Sequence, residues 1–233
     1  MSDFSTVSPL KILDHSVQRG LGAGNLGVLV ARAGVGKTAC LIQIALDKIL
    51  RNEKLVHVSL EEGPEKVISY YRVLLGEQTK SLNRADESEA HALVEANRMI
   101  LAFMNQSFDI KRLLANLKNL RESLQFQARS LIIDGLDFKS GGKPLFQGLK
   151  EIAAEFQLEV WLSALSHRHI NDVNERGVPY PCHEFEEFFS IIIQLQPQAE
   201  GVFLRLLKDH DSTEISKTLI RLDPNTFLVS EKT

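Results

Sequence analysis

The sequence has few of the features that mark membrane-spanning, exported or metal-stabilised proteins. No apolar run reaches the length needed to cross a bilayer, and the polar amino terminus lacks a basic-then-apolar signal pattern. The two cysteines, Cys40 and Cys182, lie far apart and neither has a metal-type spacing; Cys40 is expected to be a small buried thiol. We therefore expect a cytoplasmic protein without a membrane segment.

An excess of positive charge is also missing. The chain has 27 Lys and Arg against 30 Asp and Glu, a net charge of −3, and no long basic run. Because binding to a phosphate backbone requires clustered Lys and Arg, the sequence gives no electrostatic reason to expect a nucleic-acid partner. Its 233 residues, 44% hydrophobic and 24% charged, are typical of a soluble globular protein. This length predicts one large α/β domain over residues 1–233.

The strongest positive signal is a strand, a small-residue turn and an amphipathic helix in that order. Residues 26–31 are apolar, and from Lys37 to Leu50 the apolar residues recur at helical spacing. The sequence between them, Ala31-Arg-Ala-Gly-Val-Gly-Lys-Thr38, matches the phosphate-binding loop (Walker A) except that Ala31 replaces the first glycine. Since Ala31 ends the strand and does not wrap the phosphates, the pattern still predicts a nucleotide site.

Each residue type in this loop suits one part of a nucleoside triphosphate. Gly34 and Gly36 let successive N–H groups point at one phosphate chain, and the helix N-terminus adds partial positive charge. Lys37 can reach the outer phosphates, and the Thr38 hydroxyl is placed to ligate Mg²⁺. The residues expected to bind nucleotide are Ala33, Gly34, Val35, Gly36, Lys37, Thr38 and Ala39. An ordinary glycine-rich turn is the alternative, and the ordered strand, loop and helix argue against it.

Two carboxylates, Glu61 and Glu62, follow the second predicted strand, residues 55–60. They would lie at the rim where open α/β sheets bind ligands, and one could orient or deprotonate a water that attacks the γ-phosphate. They could equally form a solvated acidic turn before a helix that starts at Pro64. The phosphate-binding loop upstream favours the catalytic interpretation.

A third acidic position ends another apolar strand, Ser130 to Asp134. Because this strand delivers its carboxylate to the same sheet edge, we expect Asp134 to be the second Mg²⁺ anchor beside Thr38. Asp137 is interpreted more modestly, as a loop or helix-start residue. Gly141-Gly-Lys143 resembles a phosphate loop, but no strand precedes it and Pro144 follows, so it predicts a turn before a helix.

The remaining pattern predicts the other elements of the sheet and its helices. Helices are expected from Pro64 to about Leu75, after a capping Asp109, and from Pro144 to Phe156. The leucines expected to face the core after Asp109 are Leu113, Leu114, Leu117, Leu120 and Leu124. Later strands are expected at 159–164, 191–195, 202–207, 219–222 and 227–229, the last three at an antiparallel edge.

The stretch 165–183 is Asn-, Asp- and Pro-rich and long enough to be functional or flexible. Its histidines and one cysteine suggest zinc as an alternative; they are His167, His169, Cys182 and His183. Their spacing matches no standard structural site, so a solvated loop is favoured.

Five motifs together identify a family. They are Ala31 to Thr38, Val58-Ser-Leu-Glu61-Glu62, Leu131-Ile-Ile-Asp134, Trp161-Leu-Ser-Ala-Leu-Ser-His-Arg168 and Leu206-Leu-Lys208-Asp-His210. With them the chain resembles the RecA-like P-loop ATPases, and among these the KaiC branch and the related DnaB-type helicase motor domains. The strand that ends in Ser-Leu-Glu-Glu points to this branch. The resemblance implies a mostly parallel central sheet flanked by helices, with antiparallel edge strands at the carboxyl-terminal end.

The resemblance also implies roles for single residues. Glu61 would be the catalytic glutamate and Glu62 its tandem neighbour. Lys208 and His210 fall where family members carry a Lys-x-Arg pair that reaches a neighbouring subunit's γ-phosphate. Helicases of this group carry Gln where this chain has Ala164, so the usual γ-phosphate sensor is missing unless Ser166 or His167 substitutes. The finger arginine is replaced by His210, which is mostly uncharged at neutral pH. Because an arginine finger contributes on the order of 10³ to 10⁵ in rate, slow hydrolysis is expected.

We therefore expect a Mg²⁺- and ATP-binding, slowly hydrolysing KaiC-like ATPase that acts as a nucleotide-controlled switch or assembly factor. Its expected partners are ATP and ADP, further copies of itself, which could form a ring, and an unidentified protein. A helicase- or recombinase-like ATPase associated with DNA, and a nucleotide-dependent scaffold without useful turnover, are the alternatives.

Overall fold

The computed structural model describes residues 6–14, 16–81, 87–103, 107–166, 172–215 and 218–230. The strands are β1 (Leu26–Ala31), β2 (Leu55–Ser59), β3 (Arg98–Ala102), β4 (Ser130–Asp134), β5 (Glu159–Leu165), β6 (Phe189–Gln198), β7 (Gly201–Asp209) and β8 (Leu219–Leu222). The α-helices are α1 (Lys37–Leu50), α2 (Pro64–Ser81), α3 (Glu87–Asn97), α4 (Ile110–Glu122) and α5 (Phe138–Phe156). Short 3₁₀ helices span Pro9–Leu13 and Cys182–Phe188.

Within these described ranges, eight strands form a single sheet in the order β3-β2-β4-β5-β1-β6-β7-β8. The strands from β3 to β6 run parallel to their neighbours, whereas β7 pairs antiparallel with β6 and β8 antiparallel with β7. The predicted α/β fold, mostly parallel with antiparallel edge strands at the carboxyl-terminal end, is confirmed.

Helices cover both faces of the sheet, and the strand sequences explain why. Every residue of β1 is buried, as expected for a parallel strand packed on both sides. Leu29 and Ala31 pack with α1, α2 and α3 on one face, which we call the α1 face. Val28 and Val30 pack with α4 and α5 on the other, the α5 face. Because side chains alternate along a strand, one short apolar sequence serves two cores.

Capping residues start two helices where the sequence predicts them. The Asp109 side chain accepts a hydrogen bond from the Arg112 N–H at 2.9 Å and starts α4. Asp137 accepts from the Lys139 N–H at 3.0 Å and starts α5, which confirms it as a helix-start residue. In place of the turn predicted before Pro144, the structure has a kink at Gly142 (φ 57°, ψ −164°) within α5. The helix α5 therefore begins earlier than predicted, at Phe138.

Three other predictions are corrected. Helix α2 continues past Leu75 to Ser81 because Gly76 does not interrupt it. Leu124 is 58% exposed, since α4 ends at Glu122 and the chain turns away at Gln125 (φ 53°). Residues 227–229 do not form a strand; a single bridge joins Val229 to Leu222.

In the part of the chain that the structure describes, no helix combines the length and the apolar character needed to cross a membrane.

Candidate functional site

A cavity of about 700 Å³ lies at the carboxyl ends of the parallel strands. It is within the size range of sites that bind small ligands. The described residues that line it are Ala33, Gly34, Gly36, Lys37, Thr38, Glu61, Asp134, Gly135, Leu136, Asp137, Phe138, Lys139, Ser163, Leu165 and Pro181. The structure thus brings together residues from four predicted motifs, because parallel strands end at the same edge.

The loop between β1 and α1 has the backbone shape that phosphate binding requires. Gly34 and Gly36 have φ values of 75° and 101°, a region that favours glycine. Gly36 is the N-cap of α1 and provides no side-chain cap, so the first N–H groups of the helix stay available to an anion. Val35 and Ala39 are half-buried against the core of the α1 face and do not line the cavity among the described residues.

Lys37 reaches into the cavity from the first turn of α1. Its Nζ donates a hydrogen bond to the Arg32 carbonyl at 3.3 Å. Partial burial lowers the pKa of Lys37, and the negative charges of Asp134 and Glu61 act in the opposite direction. Both carboxylates are therefore close enough to interact with the same ammonium group.

Asp134 is held from two sides at the end of β4. The Thr38 hydroxyl donates to its Oδ2 at 2.6 Å, and the Ser163 hydroxyl donates to its Oδ1 at 2.7 Å. Ser163 also accepts a hydrogen bond from the Gly135 N–H at 3.1 Å. These bonds fix the carboxylate in one orientation beside the phosphate-binding loop.

Sequence reasoning missed Ser163. It concentrated on Ala164, which is fully buried and packs on the α5 face, away from the cavity. Ser163, the residue before Ala164, lies on the α1 face of the sheet, and its hydroxyl is the polar group of β5 that binds Asp134. The alternation of side chains along the strand, counted from the buried Leu162, could have identified Ser163.

The two glutamates after β2 have different surroundings. Glu61 lines the cavity and packs over Gly135, where an added Cβ would lie 2.6 Å from the Glu61 Cγ. Glu62 instead forms an ion pair at 2.6 Å with Lys66, in the first turn of α2, and is not among the described residues that line the cavity. Of these two glutamates, Glu61 is therefore the one that borders the cavity.

Lys208 and His210 lie at the opposite edge of the sheet. His210 follows β7 and its N–H bonds to Ser190, at the start of β6, where β6 pairs with the start of β1. Its ring contacts two acceptors, the Asp209 carboxylate at 2.9 Å and the Leu21 carbonyl at 3.2 Å.

The Lys208 ammonium is also bound within its own chain. Its Nζ donates to the Glu186 carbonyl at 2.8 Å, and burial lowers the pKa of Lys208 while the Glu186 carboxylate opposes that effect. Neither Lys208 nor His210 contacts the phosphate-binding loop of its own chain. Their predicted role in a neighbouring subunit's site stays a prediction.

The stretch 165–183 contacts the cavity at both of its ends. Leu165 and Pro181 line the cavity, and Lys139 lies over the Tyr180 ring at 5.1 Å. Of the suggested zinc ligands, His167 and His169 lie outside the described residues, while Cys182 is buried and His183 pairs with Asp172. Within the described ranges, no three His, Cys, Asp or Glu side chains are grouped to hold a metal ion.

Comparison with known proteins gives two findings. The model of the family described as "ATPase: KaiC" matches residues 8–141, more than half of the chain. A "Probable plasmid replicative DNA helicase" of Chlamydia psittaci is 29% identical over 226 aligned residues. That match covers 88% of this chain but only 47% of the helicase, so the chain spans about half of its relative's length. The family match includes the phosphate-binding loop, Glu61 and Asp134, and it shows that the chain belongs to the KaiC family of ATPases.

Proposed function

We propose that the chain binds ATP together with Mg²⁺ in the 700 Å³ cavity and hydrolyses it slowly, so that its nucleotide state controls assembly or a protein partner. The observation that carries the proposal is the convergence of three groups on this cavity. They are the glycine-shaped loop with Lys37, the bonded pair Thr38–Asp134, and the carboxylate of Glu61.

The residues present fit a magnesium ion. The Thr38 hydroxyl donates its proton to Asp134, which leaves its oxygen lone pairs available to a hard cation. Asp134 adds a carboxylate oriented by Ser163. When bound, Mg²⁺ would neutralise charge on the outer phosphates and orient them.

The chain's own groups supply the remaining requirements for hydrolysis. Lys37 and the N–H groups of the loop would bind and orient the phosphates. Glu61 would orient the attacking water and accept its proton, since its carboxylate lines the cavity beside Gly135. Glu62, paired with Lys66, would contribute less.

Two features support slow turnover. The strand β5 presents Ser163 and Leu165 to the cavity, so it offers no amide there to sense the γ-phosphate. No arginine stands at the position of the usual finger, and Lys208 and His210 are hydrogen-bonded within their own chain. A neighbouring copy would have to release these bonds before either side chain could contribute.

The test is a calorimetric titration with ATP and Mg²⁺, followed by steady-state hydrolysis on the same sample. We expect saturable binding and turnover well below that of a motor enzyme. An absence of binding by folded protein would refute the proposal. Binding without measurable turnover would favour the nucleotide-dependent scaffold.

The second candidate is an ATPase that works on DNA, favoured by the helicase relative. The net charge of −3 argues against it. Salt-sensitive, sub-micromolar binding to single-stranded DNA, or turnover stimulated by DNA, would make this candidate the better one. Mass measurement with and without ATP would test the proposed homo-oligomer, and the cytoplasmic location stays a prediction.

A further inference from the structure

A turn near the carboxyl-terminal end of the described chain packs directly against the phosphate-binding loop. It comprises residues 223–229, which we call the C-terminal turn. The ring of Phe227 occupies the space that a side chain at Gly36 would need. A Cβ built on Gly36 would lie 1.8 Å from Phe227 Cζ and 2.2 Å from its Cε1.

Phe227 adopts an unusual backbone conformation to make this contact. Its φ is 57°, in the left-handed region that bulky side chains rarely occupy. Such a conformation persists only where the surrounding structure enforces it, and it occurs most often at functional sites. The contacts around Phe227 must therefore hold it in this conformation.

Hydrogen bonds between Asp223 and the residues after it hold the C-terminal turn closed. The Asp223 carboxylate accepts from the N–H groups of Asn225 and Thr226 at 2.9 Å and 3.0 Å. The Phe227 N–H donates to the Asp223 carbonyl at 2.8 Å, and the Asp223 N–H donates to the Leu228 carbonyl at 2.9 Å. These bonds fix the backbone of the turn that carries the Phe227 ring.

A buried side chain joins the C-terminal turn to the helix of the phosphate-binding loop. Gln43, on α1, is fully buried, and its Nε2 donates to the Thr226 carbonyl at 2.6 Å. Phe227 is 8% exposed and packs in the core of the α1 face. The turn thus contacts the loop through a ring and the following helix through a hydrogen bond.

We propose that Phe227 is a positioning residue for the nucleotide site and acts through Gly36. The described residues that line the cavity do not include Phe227, so it does not touch the ligand in this geometry. Its ring limits the movement of Gly36 and keeps the loop's N–H groups aimed at the phosphates before nucleotide arrives. A preorganised loop loses less conformational freedom on binding, so the ring raises affinity for phosphate groups. This inference rests in part on the proposed nucleotide site.

The test compares three single variants of the full chain. Phe227→Leu shortens the side chain and removes the contact with Gly36. Phe227→Tyr keeps the ring but adds an oxygen at Cζ, the atom nearest Gly36. Phe126→Leu is the matched control, because Phe126 is also 8% exposed but packs on the α5 face, away from the loop.

Hydrogen exchange of residues 33–39 without nucleotide is the first readout. We expect exchange about tenfold faster in Phe227→Leu and unchanged in Phe126→Leu, since loop opening depends on local contacts. ATP affinity by calorimetry is the second readout. We expect it to fall about tenfold in Phe227→Leu and in Phe227→Tyr, because the oxygen that tyrosine adds at Cζ has no room beside Gly36 and would displace the loop.

The two readouts separate this inference from the proposed function. If wild-type protein binds no nucleotide, the proposed function fails, and exchange of residues 33–39 alone still decides whether Phe227 restrains the loop. Equal exchange in Phe227→Leu and Phe126→Leu would overturn the inference. Wild-type ATP affinity in Phe227→Tyr, together with wild-type exchange of residues 33–39 in the same variant, would also overturn the inference.

Discussion

The parallel and antiparallel parts of the sheet present their functional candidates in different ways. In the parallel part, β1, β2, β4 and β5 all end at one edge, and each end or following loop contributes to the same cavity. In the antiparallel part, buried residues of β7 mostly alternate with partly exposed ones, and Lys208 and His210 are bonded to residues of their own chain.

The difference follows from strand direction. Parallel strands gather residues that are distant in sequence at one edge, so a complete site can form within one chain. Antiparallel strands alternate direction, so the end of β7 lies at the edge opposite the cavity. Residues there can reach a nucleotide only in another molecule. The predictions below test this division, beginning with the largest expected effect.

Removing the lysine of the phosphate-binding loop should abolish ATP binding. In Lys37→Ala the cavity loses its cation for the outer phosphates, while the fold should survive because Lys37 is only half-buried. Calorimetric titration and circular dichroism check both statements. Lys143→Ala, which removes an exposed lysine paired with Glu187, is the control and should bind normally. Wild-type affinity in folded Lys37→Ala would remove the basis for a site in the parallel part.

Substitution of the two glutamates after β2 should lower the turnover rate by different amounts. Glu61→Gln should retain nucleotide and lose about 10²-fold to 10⁴-fold in rate, because an amide cannot accept the proton of the water. Glu62→Gln should lose less, since Glu62 pairs with Lys66 outside the cavity. Equal rates in wild type and Glu61→Gln would show that the base lies elsewhere.

Acid should destabilise the parallel part through His57 on β2. Burial lowers the pKa of His57 to about 4, while the charges of Asp134 and Arg98 have smaller and opposed effects. Because the folded pKa lies below the unfolded value, the stabilisation is complete above about pH 6.5 and is lost as the pH falls towards 4. The total loss should be about 3 kcal/mol.

Urea unfolding at several pH values measures this effect. His57→Gln should flatten the profile, whereas His91→Gln, at a 39% exposed position on α3, should leave it unchanged. A wild-type profile that is already flat between pH 6.5 and 4 would contradict the prediction.

Ser163 should matter for magnesium more than for folding. Ser163→Ala removes one of the two hydroxyls that hold Asp134, and loss of such an orienting group typically weakens metal binding about 10-fold to 100-fold. ATP titrations at several Mg²⁺ concentrations measure the change. Ser130→Ala is the control, because Ser130 is buried on β4 and its hydroxyl has no partner among the described residues. Identical magnesium dependence in both variants would count against a role for Ser163.

His210 offers the smallest effect and tests the antiparallel part. His210→Arg should raise turnover severalfold, because a permanent bidentate cation replaces the imidazole, and turnover per subunit should rise with protein concentration. The gain should be modest, since the variant also loses bonds to Asp209 and Leu21. If turnover per subunit does not depend on protein concentration and is unchanged in His210→Arg, the nucleotide site is complete within one chain.

The elements predicted most accurately from the sequence are those with a strong local cause. The strand at residues 26–31 and the helix Lys37–Leu50 follow from an apolar run and from periodicity, and Asp109 and Asp137 follow from capping chemistry. Leu124 was predicted wrongly because periodicity does not record where a helix ends. The early start of α5 was missed because Gly142 and Pro144 hide a helical turn before the kink.

The sequence by itself determined the phosphate-binding loop, the acidic ends of β2 and β4 and the family, because each depends on residues that are close together in the chain. Tertiary structure alone decided that Ser163 holds Asp134 and that Phe227 packs on Gly36. These contacts join residues separated by long stretches of chain. Their geometry depends on strand order and on which face each side chain takes, and no local pattern specifies either.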